Sequence, residues 1–314
     1  MIKCKCGAAG LVFALASASA HAITIEFDYS FDDGAVRLNS GQRAILDYVA
    51  NEFGQRIGDS LDAAFYSSIS FFDPGAGSSG ANLPGVTQTD QNIAADSLRI
   101  YVGASELDGF GTSTLGISGP GGAAGSVLDR GESGVGTTDF APWGGSIAFD
   151  STTSWYVDDD PSSLEPFSGI DFYSIAVHEL GHVLGVGTSG SWFAQVGPAG
   201  FEGSASLGAY ADALGSPQAG VPLAPGAGHW AEGTLSFADG ALVEAALDPS
   251  IQAGSRKAYT DLDWAALSDV GWEIAPASAV PESSSVAMLL AGLGVIGATA
   301  RRRAPRALRH DASG

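Results

Sequence analysis

The sequence predicts an α+β domain flanked by two short terminal segments of different character. Three observations carry this. Short β-branched and aromatic runs crowd the first half of the chain. Segments at 41–56, 171–184 and 260–271 show helical patterning or helix end signals. The 44 glycines and 14 prolines among 314 residues break the remainder into loops. Those glycines have no G-X-Y period, which excludes collagen, and a hydrophobic content of 45% excludes a disordered chain.

Ile23 to Tyr29 alternates and reads as a first strand. Ser40 stands where it would cap a helix from Gly41 to about Arg56, with Ala44, Ile45, Tyr48, Val49 and Phe53 along one face. Ile69–Phe72, Leu98–Val102 and Ile147–Phe149 read as strands, and the Gly-rich stretch 103–145 as loop with a turn at Gly119-Pro120-Gly121-Gly122. Asp158, Asp159 and Asp160 are a possible Ca²⁺ site, but they lack the spacing of a calcium loop and are read as solvated charge. Asp171 is placed as the N-cap of a helix that is apolar on Phe172, Ile175, Ala176 and Val183 and stops at Gly185. Thr260 caps a last helix, with Asp263 as its acidic partner three residues on and Gly271 as its stop.

The ends read as addresses. Residues 1–22 carry Lys3 and Lys5, an apolar run from Gly7 to Ala18, and Ala20-His21-Ala22, the layout of a secretory signal peptide. Val286 to Ala300 is uncharged and apolar, follows Pro281-Glu282-Ser283 and precedes Arg301, Arg302 and Arg303. As a helix it would span about 22 Å, short of a ~30 Å hydrocarbon core. Residues 280–303 resemble the PEP-CTERM sorting signal of Gram-negative bacteria, with Ser283 in place of the usual second proline. That resemblance implies export across the inner membrane, processing by signal peptidase and an exosortase-type enzyme, association with an exopolysaccharide matrix, and a cell-surface or extracellular destination. Residues 304–314 form a basic tail.

Between the ends, 23–279 reads as the functional domain, with lobes of about 23–185 and 186–275. It holds 33 acidic and seven basic residues, a net charge of -26, which excludes nucleic acid as a partner. Cys4 and Cys6 both fall in the leader, so the exported part has no disulfide and no thiolate chemistry.

Only three histidines remain in that domain: His178, His182 and His229. His178 and His182 are four apart, which on a helix puts both imidazoles on one side, able to reach one metal ion. Glu179 lies beside the first ligand, free to act on a metal-activated water, and His-Glu-x-x-His is the zinc metalloprotease motif. The reading is one catalytic Zn²⁺ with Glu179 as general base, acting on a protein or peptide substrate. Two alternatives stay open: a non-catalytic, zinc-stabilised acidic surface or matrix protein, and a zinc hydrolase acting on a non-peptide amide.

The helix motif and Gly185 resemble the metzincin proteases, whose short motif places a third histidine where this chain has Thr188. Leishmanolysin-like metzincins insert a long segment before a third histidine followed by Trp, and here His229-Trp230 comes 47 residues after His182. Leu247-Asp248-Pro249 is similar to that family's Met-turn, with leucine for methionine, and Asp269-Val270-Gly271-Trp272 to its closing helix end. The resemblance implies His229 as third ligand. It also implies an N-terminal twisted mixed sheet packed on a backing helix and an active-site helix, with a C-terminal lobe of loops and a closing helix. Nothing in the sequence identifies the residue that would bind the reaction's oxyanion; Tyr210 and Tyr259 lie in regions that could fold back over the site. Asp28, Asp32 and Asp33 are early carboxylates that could cap a zymogen zinc, and are read instead as facing water.

Overall fold

The computed structural model describes residues 23–76, 83–107, 114–124, 130 and 139–275. The chain divides into two units, Met1–Ile274 and Ala275–Gly314, and the elements below belong to the first. The expected leader at 1–22, and the sorting segment and basic tail at 280–314, lie outside the described residues. Among the described residues no helix is long and apolar enough to cross a membrane.

The first half contributes β1 (Thr24–Asp28), α1 (Ser40–Arg56), β2 (Ala64–Phe72), β3 (Gly85–Ile93), β4 (Ser97–Ser105), β5 (Gly116–Pro120), β6 (Gly122–Ala123) and β7 (Gly144–Asp150). A four-stranded sheet in the order β1-β4-β7-β5 is the frame. β1, β4 and β7 run parallel, and β5 closes the edge antiparallel to β7. β4 and β7 are buried almost throughout, as parallel strands covered on both faces require. Alternation sorts β4: Leu98, Ile100, Val102 and Ala104 enter the main core, while Tyr101 turns to a second cluster with Phe71 and Trp143. That cluster is roofed by the small sheet β3-β2-β6.

α1 backs the main core with Ile45, Leu46, Val49 and Phe53. Its cap is Asn39, not Ser40: Asn39 and Gln42 exchange side chain to backbone hydrogen bonds, each of 3.0 Å. Ala44 and Tyr48 are both exposed, so the apolar face is turned toward Leu46 relative to expectation. The expected 103–145 loop contains β5 and β6, and the expected Gly119–Gly122 turn is where one passes into the other. Asp32 does not face water. Its carboxylate is buried, pairs with Arg43 at 2.8 Å and accepts from the Leu38 and Ala104 amides.

Next come β8 (Trp155–Tyr156), β9 (Ile170–Asp171), α2 (Phe172–Val183), α3 (Gly190–Phe193), β10 (Val196–Gly197), β11 (Gly200–Phe201), α4 (Ser204–Leu214), β12 (Leu235–Ala238), β13 (Ala241–Glu244) and α5 (Asp261–Val270). α2 packs beside α1 and against β5 and β7. α4 begins at Gly203, which offers no side-chain cap; the Asp269 carboxylate of α5 accepts from the Ala205 and Ser206 amides at 2.9 and 2.8 Å instead. Trp192, Phe201 and Trp230 form an aromatic cluster, with Trp192 and Phe201 stacked at 3.9 Å. Thr260 and Asp263 form the expected capping box on α5, and Trp272 donates its indole N–H to the Leu184 carbonyl at 2.8 Å.

Candidate metal centre

Helix α2 starts where Asp171 accepts from the Ser174 amide and hydroxyl, at 3.1 and 2.6 Å. The same carboxylate pairs with Arg256, which also pairs with Asp158 at 2.7 Å. Asp158 is therefore a buried ion-pair partner, while Asp159 and Asp160 remain exposed. At its other end α2 exits through Gly185, whose φ of 106° is open to glycine and strained for other residues.

His178 and His182 stand on one side of α2, their Nε2 atoms 3.1 Å apart. His229 Nε2 joins them, 3.2 Å from His178 and 3.0 Å from His182. A close backbone crossing brings it there. Gly187 has φ 72°, and a Cβ on it would stand 2.0 Å from the carbonyl oxygen of Gly228, so the residue before His229 lies against the chain leaving α2. Thr188 turns away, donating its hydroxyl to the His182 carbonyl at 2.6 Å.

The ring orientations are fixed from outside the cluster. His178 Nδ1 contacts the Ala246 carbonyl at 2.7 Å and His182 Nδ1 the Val186 carbonyl at 2.8 Å. A carbonyl only accepts, so each Nδ1 carries the proton and each Nε2 presents a lone pair to the centre. Burial, first, and the neighbouring imidazoles hold His178 well below the ordinary histidine range. Burial, with His229 nearby, brings His182 down to about 4, and burial also lowers His229. Two lone pairs facing at 3.1 Å without a proton between them call for a cation. Tetrahedral zinc, with Zn–N of about 2.0–2.1 Å, sets nitrogens about 3.3 Å apart, close to the spacing found. The three histidines are compatible with a zinc site, and among the described residues no fourth His, Cys, Asp or Glu joins them.

Glu179 is buried beside this centre, and burial pushes its carboxyl up to about 7 against the opposing hydrogen bond from Ser118. Ser118 Oγ lies 2.6 Å from Glu179 Oε2. Gly116 faces the same group: a Cβ there would stand 2.5 Å from Oε1. All three histidines and Glu179 open on a cavity of about 590 Å³. β5 forms one wall, and Asp248, Ser250 and Lys257 form part of another. Lys257 Nζ is anchored there by Asp248, by the Ser250 carbonyl at 2.6 Å and by Glu244 at 3.1 Å.

Neither tyrosine expected near the site lines this cavity. Tyr259 is buried behind α2, its ring against Phe53 and Trp264 and its hydroxyl beside Gly181. Leu247 is fully buried and meets the same glycine. Asp28, Asp32 and Asp33 are likewise absent from the cavity lining. Sequence reading missed Gly116, Ser118 and Lys257, and it saw Asp263 only as a helix cap.

With this geometry in hand, comparison with known proteins is informative. The matrixin family pattern matches residues 123–194, a span that includes α2 and ends before His229. Metalloendoproteinase 1-MMP of Arabidopsis thaliana is 37% identical over 91 residues, 29% of this chain. Those residues are 25% of that protein, so the chain spans about a quarter of the length of the curated relative it matches. No solved structure matches the chain. The mixed sheet with few helices is compatible with a metzincin-like fold, and the two sequence likenesses support a metzincin-type metalloprotease.

Proposed function

We propose that the chain is an exported zinc-dependent endopeptidase, with His178, His182 and His229 holding one zinc and Glu179 acting as general base. The observation that carries this reading is the convergence of three imidazoles, two of them braced through Nδ1 from outside the cluster, in an open cavity beside a buried carboxylate. Zinc, when bound, would supply a Lewis acid that polarises the substrate carbonyl and acidifies water. Glu179 would take the proton of the attacking water on its carboxylate and return it to the leaving amine. Its raised affinity for a proton suits it to hold one between the two transfers.

A peptide substrate is favoured by β5. This strand pairs with β7 on one side and with no other strand among the described residues, and it runs along the cavity. An extended peptide could add to that edge through main-chain hydrogen bonds, a mode that recognises polypeptide. A purely structural zinc would favour a fourth protein ligand, and among the described residues none stands in the cluster.

Within the metzincins the reading places the chain on the leishmanolysin-like side, supported by the distant His229-Trp230 pair and the Asp269–Trp272 helix end. Export and C-terminal sorting belong to the same proposal and are supported by the layout of residues 1–22 and 280–303. The test is cleavage of a peptide library by wild type and Glu179→Gln. The variant should keep its zinc and lose about 10²–10⁴-fold in turnover. A wild type that binds zinc yet cleaves no peptide would move the assignment to the non-catalytic surface protein.

A further inference from the structure

Glu179 sits on α2, but two residues of β5 bound its carboxylate. Gly116 and Ser118 are two apart on a strand and so share a face. On that face Gly116 leaves room for Oε1, since a Cβ there would fall 2.5 Å from that oxygen and 2.7 Å from Cδ. Ser118 Oγ reaches Oε2 at 2.6 Å and the Glu179 carbonyl at 2.8 Å. A hydroxyl has one proton, and the ionised carboxylate is the stronger acceptor of the two. β5 is also held from its other side, by pairing with β7. Gly116 pairs with Phe149 and Ser118 with Ile147, and both partners are fully buried in the main core.

We propose that Ser118, with Gly116, is a positioning residue that sets the Glu179 carboxylate from the strand side, so that β5 fixes where the base stands. This rests on the reading of Glu179 as the base. A free glutamate carboxylate samples several rotamers, and ordering it costs side-chain entropy. Here an open space on one oxygen and a hydroxyl on the other select one orientation before substrate arrives. The same strand is the edge along which an extended substrate would pair, so a single element registers both the peptide and the base that serves it.

The experiment compares Ser118→Ala, Ser118→Thr and Gly116→Ala with wild type for zinc content, kcat and KM on a fluorogenic peptide. Crystal structures of wild type and Ser118→Ala complete it. Ser118→Ala should bind the same zinc, keep its KM and lose about 10-fold or more in kcat, as a misplaced group does. Ser118→Thr, which retains the hydroxyl, should recover most of that loss, and Gly116→Ala should displace the carboxylate and lower kcat with zinc retained. In the Ser118→Ala crystal the Glu179 carboxylate should leave its wild-type position or split between orientations. An unchanged kcat in Ser118→Ala, or an unmoved carboxylate in its crystal, would overturn the proposal. A wild type without peptidase activity would instead defeat the endopeptidase reading, and the crystal comparison would still decide the positioning claim.

Discussion

The indole of Trp230 donates to the carboxylate of Asp263 at 2.9 Å, tying the neighbour of His229 to the last helix. The same carboxylate accepts from the Ala246 and Leu247 amides at 2.9 and 3.3 Å and from the Thr260 amide and hydroxyl at 2.9 and 2.7 Å. The Ala246 carbonyl in turn holds His178. One buried carboxylate thus stands behind two of the three histidines.

Asp263→Asn should therefore act on stability and metal together. An amide in that place cannot accept from all five donors, and each buried donor left unpaired costs about 1–3 kcal/mol. Urea unfolding should show a loss of about 2–4 kcal/mol, and zinc affinity should fall with it, as loss of a group that orients ligands implies. A variant with wild-type midpoint and wild-type affinity would show that the carboxylate is not the hub described.

Thr188 and His229 separate a helix contact from a ligand. Thr188→Ala should keep full zinc content and lose about 0.5–1.5 kcal/mol, the worth of one hydrogen bond to the His182 carbonyl. His229→Ala should lose more than the ~10–100-fold in zinc affinity that removing an outer partner costs, and should expose the 186–228 segment to added protease. Equal zinc affinities for the two variants, by competition with a chelator, would reject His229 as a ligand.

Acid should weaken the fold through Asp150 and Asp158. Burial raises both carboxyls, but hydrogen bonds outweigh it: Thr153, the Leu107 amide and Thr152 on Asp150, and the Asp160 amide with Arg256 on Asp158. Both end below the ordinary aspartate value. A carboxyl depressed in the folded state contributes stability that is complete above its unfolded value, about 3.9, and is lost as pH falls through the folded value. Thermal melts should therefore fall more steeply below about pH 4 in wild type than in Asp150→Asn/Asp158→Asn. Parallel slopes would remove these two groups from the acid response.

The parts legible in the sequence are those written by neighbours in the chain. Asp171 before α2, Gly185 after it, and Thr260, Asp263 and Gly271 around α5 act within one helical turn, and each stands where its residue type predicts. β5 was not legible, because Gly116, Gly119 and Pro120 are poor strand formers and the strand exists through pairing with β7. Its glycine answers to Glu179, 63 positions away, and its serine answers to the same side chain; no local pattern encodes either. β3 hid for another reason: its residues are mostly polar and partly exposed, so alternation is faint. The acidic run at 158–160 looked uniform, yet Arg256, far along the chain, buries one member and leaves two in water.

One zinc on three histidines would make this chain a peptidase. The most direct measurement follows zinc content and peptide cleavage together while a chelator strips the protein and zinc is added back. About one zinc per chain is expected, with activity that falls in step with metal loss and recovers fully at about one equivalent. Folded protein that cleaves peptides at the same rate after its zinc is gone would contradict it.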